Sequence, residues 1–216
     1  VTFYNRSLEK GRANYDIRHR IVAIAMYELP FGKGRRHLNS GGLKNALFGG
    51  WDIAWIQTIQ TGPPMTIGFG GSPNRYLPGA SRPNQILPDD QAKLQHVDIG
   101  PNRFPITNQN RYLKLEAFEY PANFTPGTLG RNTLEAPGIF WPQASASKEF
   151  MVLEKVKFVL RFDVNNVIKY HNFNPPDSTF NRTNATAFGR FSGTRGSFSD
   201  IGTGRWHGIM VFRLEW

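Results

Sequence analysis

The histidines are the side chains best suited to bind a metal or move a proton, yet His19, His37, His96, His171 and His207 lack the neighbours for either task. No H-E-x-x-H spacing sets two of them on one helical face, and a chain without cysteine has neither a thiolate ligand nor a thiol nucleophile. Asp89-Asp90 and Asp98 could assist a cation, but acids in a polar stretch read first as a solvated turn. Gly32-Lys33-Gly34 lacks the G-x-x-x-x-G-K-[ST] frame of a phosphate loop. No reactive group has the partner that catalysis needs, so neither an enzyme nor a cofactor is expected.

Recognition chemistry is better represented. Tyr76, Phe104, Tyr112, Phe118, Tyr120 and Phe124 share one segment with Arg75, Arg82, Arg103 and Arg111. Aromatic and arginine side chains are the usual anchors of binding surfaces, which makes Tyr76, Arg103, Phe104, Arg111 and Tyr112 candidates for ligand contact. The competing reading is that these rings pack the segment onto itself. The net charge of +10, from 26 basic and 16 acidic residues, is spread over every segment without a long basic run. Nucleic acid is therefore not an expected partner.

The elements that must carry these residues are strands. The last twelve residues alternate strictly. Trp206, Gly208, Met210, Phe212, Leu214 and Trp216 fall on one side, with Arg205, His207, Ile209, Val211, Arg213 and Glu215 on the other. A two-residue period marks a strand with different surroundings on its two faces. Arg18 to Leu29, Trp51 to Thr61 and Lys155 to Asn166 alternate in the same way, and Phe140 to Phe150 does so more weakly. Each reaches the roughly 9–11 residues of a membrane barrel strand, where soluble strands average about 5–6. No helical stripe exceeds about two turns.

The connections have a parity of their own. Gly62 to Ile139 and Lys169 to Gly204 are long, whereas Met151 to Glu154 is tight and Pro30 to Gly50 is intermediate. Barrels of this kind have long outer loops and short inner turns, and the five strands fit that scheme if Trp216 lies on the inner side. Arginine or lysine in mid-bilayer costs about 2–4 kcal/mol, so Arg18, Arg20, Asp52, Lys157, Arg161, Asp163, Arg205, His207 and Arg213 are expected to face a lumen. The fold expected is all-β: an antiparallel up-and-down meander of about five long strands, forming an open segment of a large transmembrane β-barrel. The chain begins at Val1 without a methionine, which reads as a cut point, and any targeting signal would lie upstream of it.

Several short motifs occur in an order that resembles one family. They are Asp16-Ile17-Arg18-His19-Arg20, Tyr27-Glu28-Leu29-Pro30-Phe31-Gly32-Lys33-Gly34, Gly49-Gly50-Trp51 and Gln60-Thr61-Gly62-Pro63-Pro64-Met65-Thr66-Ile67. Gly130-Arg131-Asn132-Thr133-Leu134, Pro137-Gly138, Phe162 to Phe173, Phe188-Gly189-Arg190 and Thr194-Arg195-Gly196 follow. Together they resemble the barrel of TonB-dependent outer-membrane receptors, in particular the Oar-like branch with carboxypeptidase regulatory-like domains.

The resemblance implies a plugged barrel of about 22 strands, of which residues 1–216 would be the C-terminal part without the plug. It implies the bilayer, the rest of the barrel, the plug and the barrel-assembly machinery as partners. TonB would be reached only through N-terminal parts outside this chain. Met210, Phe212, Leu214 and Trp216 would form the assembly signal, with Trp in the place usually held by Phe. A wall segment alone has two unpaired edges, so it is not expected to fold stably by itself. The alternative is a soluble β-rich domain that binds a ligand or glycan through its aromatic-rich loops.

Overall fold

The alternating stretches form strands in the computed structural model, which describes residues 6–39, 42–69, 82–93, 111–153, 156–183, 185–195 and 206–216. They are β1 (Arg20–Glu28), β2 (Trp51–Gln60), β3 (Ile139–Leu153), β4 (Val156–Asn165) and β5 (His207–Glu215). All neighbours are antiparallel and the order in the sheet is the order in the chain, β1-β2-β3-β4-β5. This is the expected all-β meander. It is open: among the described residues, β1 and β5 each pair on one side only.

Registers carry the alternation across the sheet, because directly opposed residues share a face. One face holds Ile21, Ala25 and Tyr27, then Ile53, Trp55 and Ile59, Phe158, Leu160 and Phe162, and finally Met210, Phe212 and Leu214. The weak periodicity of β3 has a packing cause. Its positions on this face include Ala144 between Trp55 and Val164, and Ala146 between Ile53 and Phe162, so small residues sit among large ones.

Pro142 lies inside β3 without breaking the ladder to β2, where it opposes Gln57. Its carbonyl accepts from Val167 N (3.2 Å), on the side away from β2. The N and C=O of one strand residue point the same way, so the missing N–H falls on that side, where the β3–β4 ladder begins only at Gln143.

One charge interrupts the apolar face. Lys148 opposes Trp51 and Leu160 and is only 3% exposed. Its ammonium donates to the carbonyls of Gly49 and Asn45, the latter at 3.3 Å, and sits over the rings of Phe150 (4.9 Å) and Trp51 (5.8 Å). A buried cation needs such partners. The carbonyls come from α1 (Leu43–Phe48) and its C-cap, in the β1–β2 connection. That connection closes through Leu29 N to Trp51 O (2.8 Å), and it turns at Gly32 (φ 121°), whose Cα packs against Gly49.

Residues 1–19, 61–138 and 173–195 make a second compact unit. The last two of these are the stretches read as long loops, and the reading that their rings pack the segment onto itself holds for Phe118 and Tyr120. Ile67, Leu113, Phe118, Leu134, Phe180 and Phe188 are fully buried there, and Phe188 meets Phe118 and Phe180 edge-on at 5.8 and 5.3 Å. Two-residue ladders hold the unit together: Pro64–Met65 with Leu134–Glu135, Gly68–Phe69 with Thr179–Phe180, and Asn84–Gln85 with Phe118–Glu119. A core fed by such short pieces has no sequence period to show.

Candidate functional site

The face of the sheet opposite Phe158 and Phe212 carries the polar side chains. The register brings Arg20, Asp52, Lys157, Arg161, Asp163, His207 and Arg213 onto it together. Arg18 lies before β1, in the second unit, 3.6 Å from Glu135; the strand starts at Arg20, two residues later than the periodicity predicts. Arg205, Tyr76, Arg103 and Phe104 lie outside the described residues.

Most charges on this face have partners. Arg161 Nε donates to Asp163 Oδ1 (2.7 Å), Arg213 pairs with Glu215 (2.5 Å), and Lys157 reaches Glu149 at 3.8 Å. A row of polar side chains crosses three strands at one end. Gln143 on β3 donates to Asn165 Oδ1 on β4, and the Asn165 amide nitrogen lies 2.9 Å from His207 Nε2 on β5. Because Oδ1 of Asn165 already accepts, its nitrogen is the donor and His207 Nε2 must accept. Trp141, Ser145, Asp163 and Ile209 line a hollow of about 290 Å³ beside this row. The buried Trp141 indole N–H has no hydrogen-bond partner there.

The charged members of this face were visible as the polar half of each alternation. Gln143 and Trp141 were not, because β3 gave too weak a pattern to assign its sides. Apolar residues share the face too: Val22, Ile24 and Met26 on β1, Ile209 and Val211 on β5. The assembly-signal candidates Met210, Phe212 and Leu214 are exposed on the other face, and Trp216 follows the strand 94% exposed.

In the second unit, two of the predicted contact residues are described. Tyr112 is half-buried, donates its hydroxyl to the Glu135 carbonyl (2.9 Å) and packs on Phe191 (5.6 Å). Burial and then the Glu135 charge push its pKa up to about 12, so it acts as a neutral donor. Arg111 donates to the Ala185 carbonyl (2.7 Å) and bridges Arg190 directly across an antiparallel pair, a neighbour the sequence does not announce. Phe118 and Tyr120 serve the core instead, Tyr120 packing 5.0 Å from Phe180.

Among the described residues, no group of three or more histidine, aspartate or glutamate side chains is placed to hold a metal ion. No helix is long and apolar enough to cross a membrane, which leaves crossing by strands open.

No curated protein and no solved structure matches the chain. A family model described as outer membrane beta barrel domain matches residues 1–205. The two-faced meander of long strands agrees with it: the chain belongs to the outer membrane beta-barrel domain family and is a protein of the bacterial outer membrane.

Proposed function

We propose that residues 1–216 form the C-terminal wall of a TonB-dependent receptor barrel of the Oar-like kind, which captures a ligand at the cell surface and moves it inward with energy from the inner membrane. The observation that carries this reading is the division of the sheet. Arg20, Asp52, Lys157, Arg161, Asp163, His207 and Arg213 share one face, and a band from Tyr27 to Leu214 shares the other.

On this reading the apolar band meets lipid and the polar face meets the lumen and its plug. The mixed character of the inner face, with Val22, Ile24 and Met26 beside Arg20, suits a plug better than open water. The open edges of β1 and β5 support pairing with further strands, since a bilayer does not tolerate unpaired backbone groups. The second unit, built from segments that connect the strands in sequence, would be the ligand-capture surface. The apolar face stays uncovered around Phe212, which does not support the soluble alternative.

Energy coupling is tested by titrating the full-length protein in detergent with the periplasmic domain of TonB. Saturable binding supports the reading. A protein that assembles normally yet shows no binding to that domain contradicts it.

A further inference from the structure

The short helix α1 lies over the apolar face of the sheet. Two side chains of that face reach its backbone. Lys148 donates to the carbonyls of Asn45 (3.3 Å) and Gly49, and the Trp51 indole N–H donates to the Leu47 carbonyl (2.9 Å). Lys148 and Trp51 oppose each other in the β2–β3 register, on the side of the sheet that holds Phe158 and Phe212.

This helix is turned the wrong way for water. A surface helix of a soluble protein packs its apolar stripe inward and shows its polar residues to solvent. In α1 it is Asn45 that faces the protein: its side-chain oxygen accepts from Lys33 N (2.8 Å) and its carbonyl from Gly49 N (2.9 Å). At about 100° per residue, Leu43 and Leu47 lie one turn apart on the opposite side from Asn45. Leu43, Leu47 and Phe48 are 79, 57 and 60% exposed, and no residue of α1 is buried. A helix of six residues has little stability of its own, so its apolar side calls for a cover.

Its place along the strands is equally defined. Glu28 opposes Asp52, Leu153 opposes Val156 and Glu215 opposes Lys157 at one end of the sheet. The β1–β2 connection therefore shares that end with the tight β3–β4 turn and with Trp216, the end read as the inner one. Residues 30–50 contain Lys33, Arg35, Arg36 and Lys44 and no acidic residue. Arg35 pairs with Glu28, whereas Lys33 and Lys44 are exposed and form no ion pair among the described residues.

We propose that α1 is an interfacial anchor that docks on the phospholipid leaflet at the inner end of the wall. Leu43, Leu47 and Phe48 enter the acyl boundary, and Lys33 and Lys44 meet the phosphate groups. Two observations select lipid as the occupant. The helix is continuous with the apolar band through Lys148 and Trp51, and the connection that carries it is basic without an acid, which complements anionic headgroups. Lysine stems are long enough to leave the ammonium at headgroup level beside inserted leucines. The inference rests on the lipid-facing band of the proposed function and not on transport.

The test places bimane on single cysteines in the full-length protein, reconstituted into vesicles of phosphatidylethanolamine and phosphatidylglycerol. It compares quenching by brominated acyl chains with quenching by iodide in the water. Because no side chain of α1 is buried, labels at Leu43 and Leu47 leave the packing intact. Both should be quenched by the brominated chains and shielded from iodide, as a label at Leu160 in the band should be. Lys33→Glu with Lys44→Glu should lose lipid quenching at position 47 and gain iodide quenching there. Unchanged quenching in that variant overturns the headgroup contacts. The anchor is overturned if position 160 is quenched by lipid while 43 and 47 are reached by iodide, or by neither quencher because protein covers the helix. A label at 160 reached by iodide would overturn the band and this inference with it, so failure of the wall reading is told apart from failure of the anchor alone.

Discussion

Phe158 and Phe212 lie side by side on neighbouring strands, ring centroids 6.1 Å apart and nearly parallel, and Phe212 leaves 62% of its surface uncovered. In a sandwich these rings would be the first to meet a facing layer, because large aromatics contribute most to a dry core. Here they extend a surface band. The contact is lateral, between strands of one sheet, and the band is exposed at Ile21, Tyr27, Met210, Phe212 and Leu214.

Reversing that band should block assembly. Phe158→Arg with Phe162→Arg in the full-length protein places two cations where lipid is expected, at about 2–4 kcal/mol each near mid-depth. Outer-membrane abundance of the double variant should fall to a small fraction of wild type. Normal abundance would mean that the faces are assigned the wrong way round.

Lys148 should pin the β1–β2 connection. Lys148→Ala leaves the Gly49 carbonyl without its side-chain donor and the Asn45 carbonyl with Gly49 N alone, a loss on the order of 1–3 kcal/mol if the Gly49 carbonyl stays buried. The local consequence is faster proteolysis at Lys44 in α1, measured by limited trypsin digestion of the detergent-solubilised protein. An unchanged cleavage rate would remove the pinning role.

The second unit should fail on a single methyl group. A Cβ at Gly62 would lie 1.6 Å from the Ala136 carbonyl oxygen, and the atoms it meets are backbone of Ala136 and Pro137, which cannot swing aside as a side chain can. Gly62→Ala should destabilise the unit by more than the roughly 1–3 kcal/mol typical of overpacking, read as lost hydrogen-exchange protection over residues 62–67 and 134–136. Protection equal to wild type would contradict the packing described.

Acid should loosen the same unit. The hydrogen bond from Arg82 is the main cause holding the Glu9 carboxyl below the usual carboxylate range. A depressed folded pKa gives stability that is fully present above the unfolded value and is lost as pH falls through the folded one. Exchange protection around Arg82 should therefore decline below about pH 4.5, and Glu9→Gln should flatten that decline. A wild-type profile flat down to about pH 3 would contradict the linkage.

How much was legible depends on how far each pattern extends along the chain. β4 and β5 could be read residue by residue, because every second position from Phe158 to Val164 and from Gly208 to Leu214 keeps its side of the sheet. β3 was blurred because Ala144 and Ala146 fill gaps between Trp55, Ile53 and Phe162, a relation that exists only across strands. The second unit was illegible as a unit. Its core joins Ile67, Leu113, Phe118, Phe180 and Phe188 from widely separated segments through ladders two residues long, too short for any periodicity. Arg111 stood out by type, but its partner Arg190 is known only from the fold.

The alternation of β4 gives the most direct measurement of the central claim, and the chain has no native cysteine to interfere. Nitroxide labels placed one at a time at positions 157 to 164 of the assembled full-length protein report collision with oxygen, which concentrates in lipid, and with a water-soluble nickel chelate. The account predicts a two-residue oscillation, with oxygen highest at 158, 160, 162 and 164 and the pattern falling at 157, 159, 161 and 163. An oscillation of opposite phase, or none, would contradict the assignment of this sheet as a membrane wall with Phe158 outward and Arg161 inward.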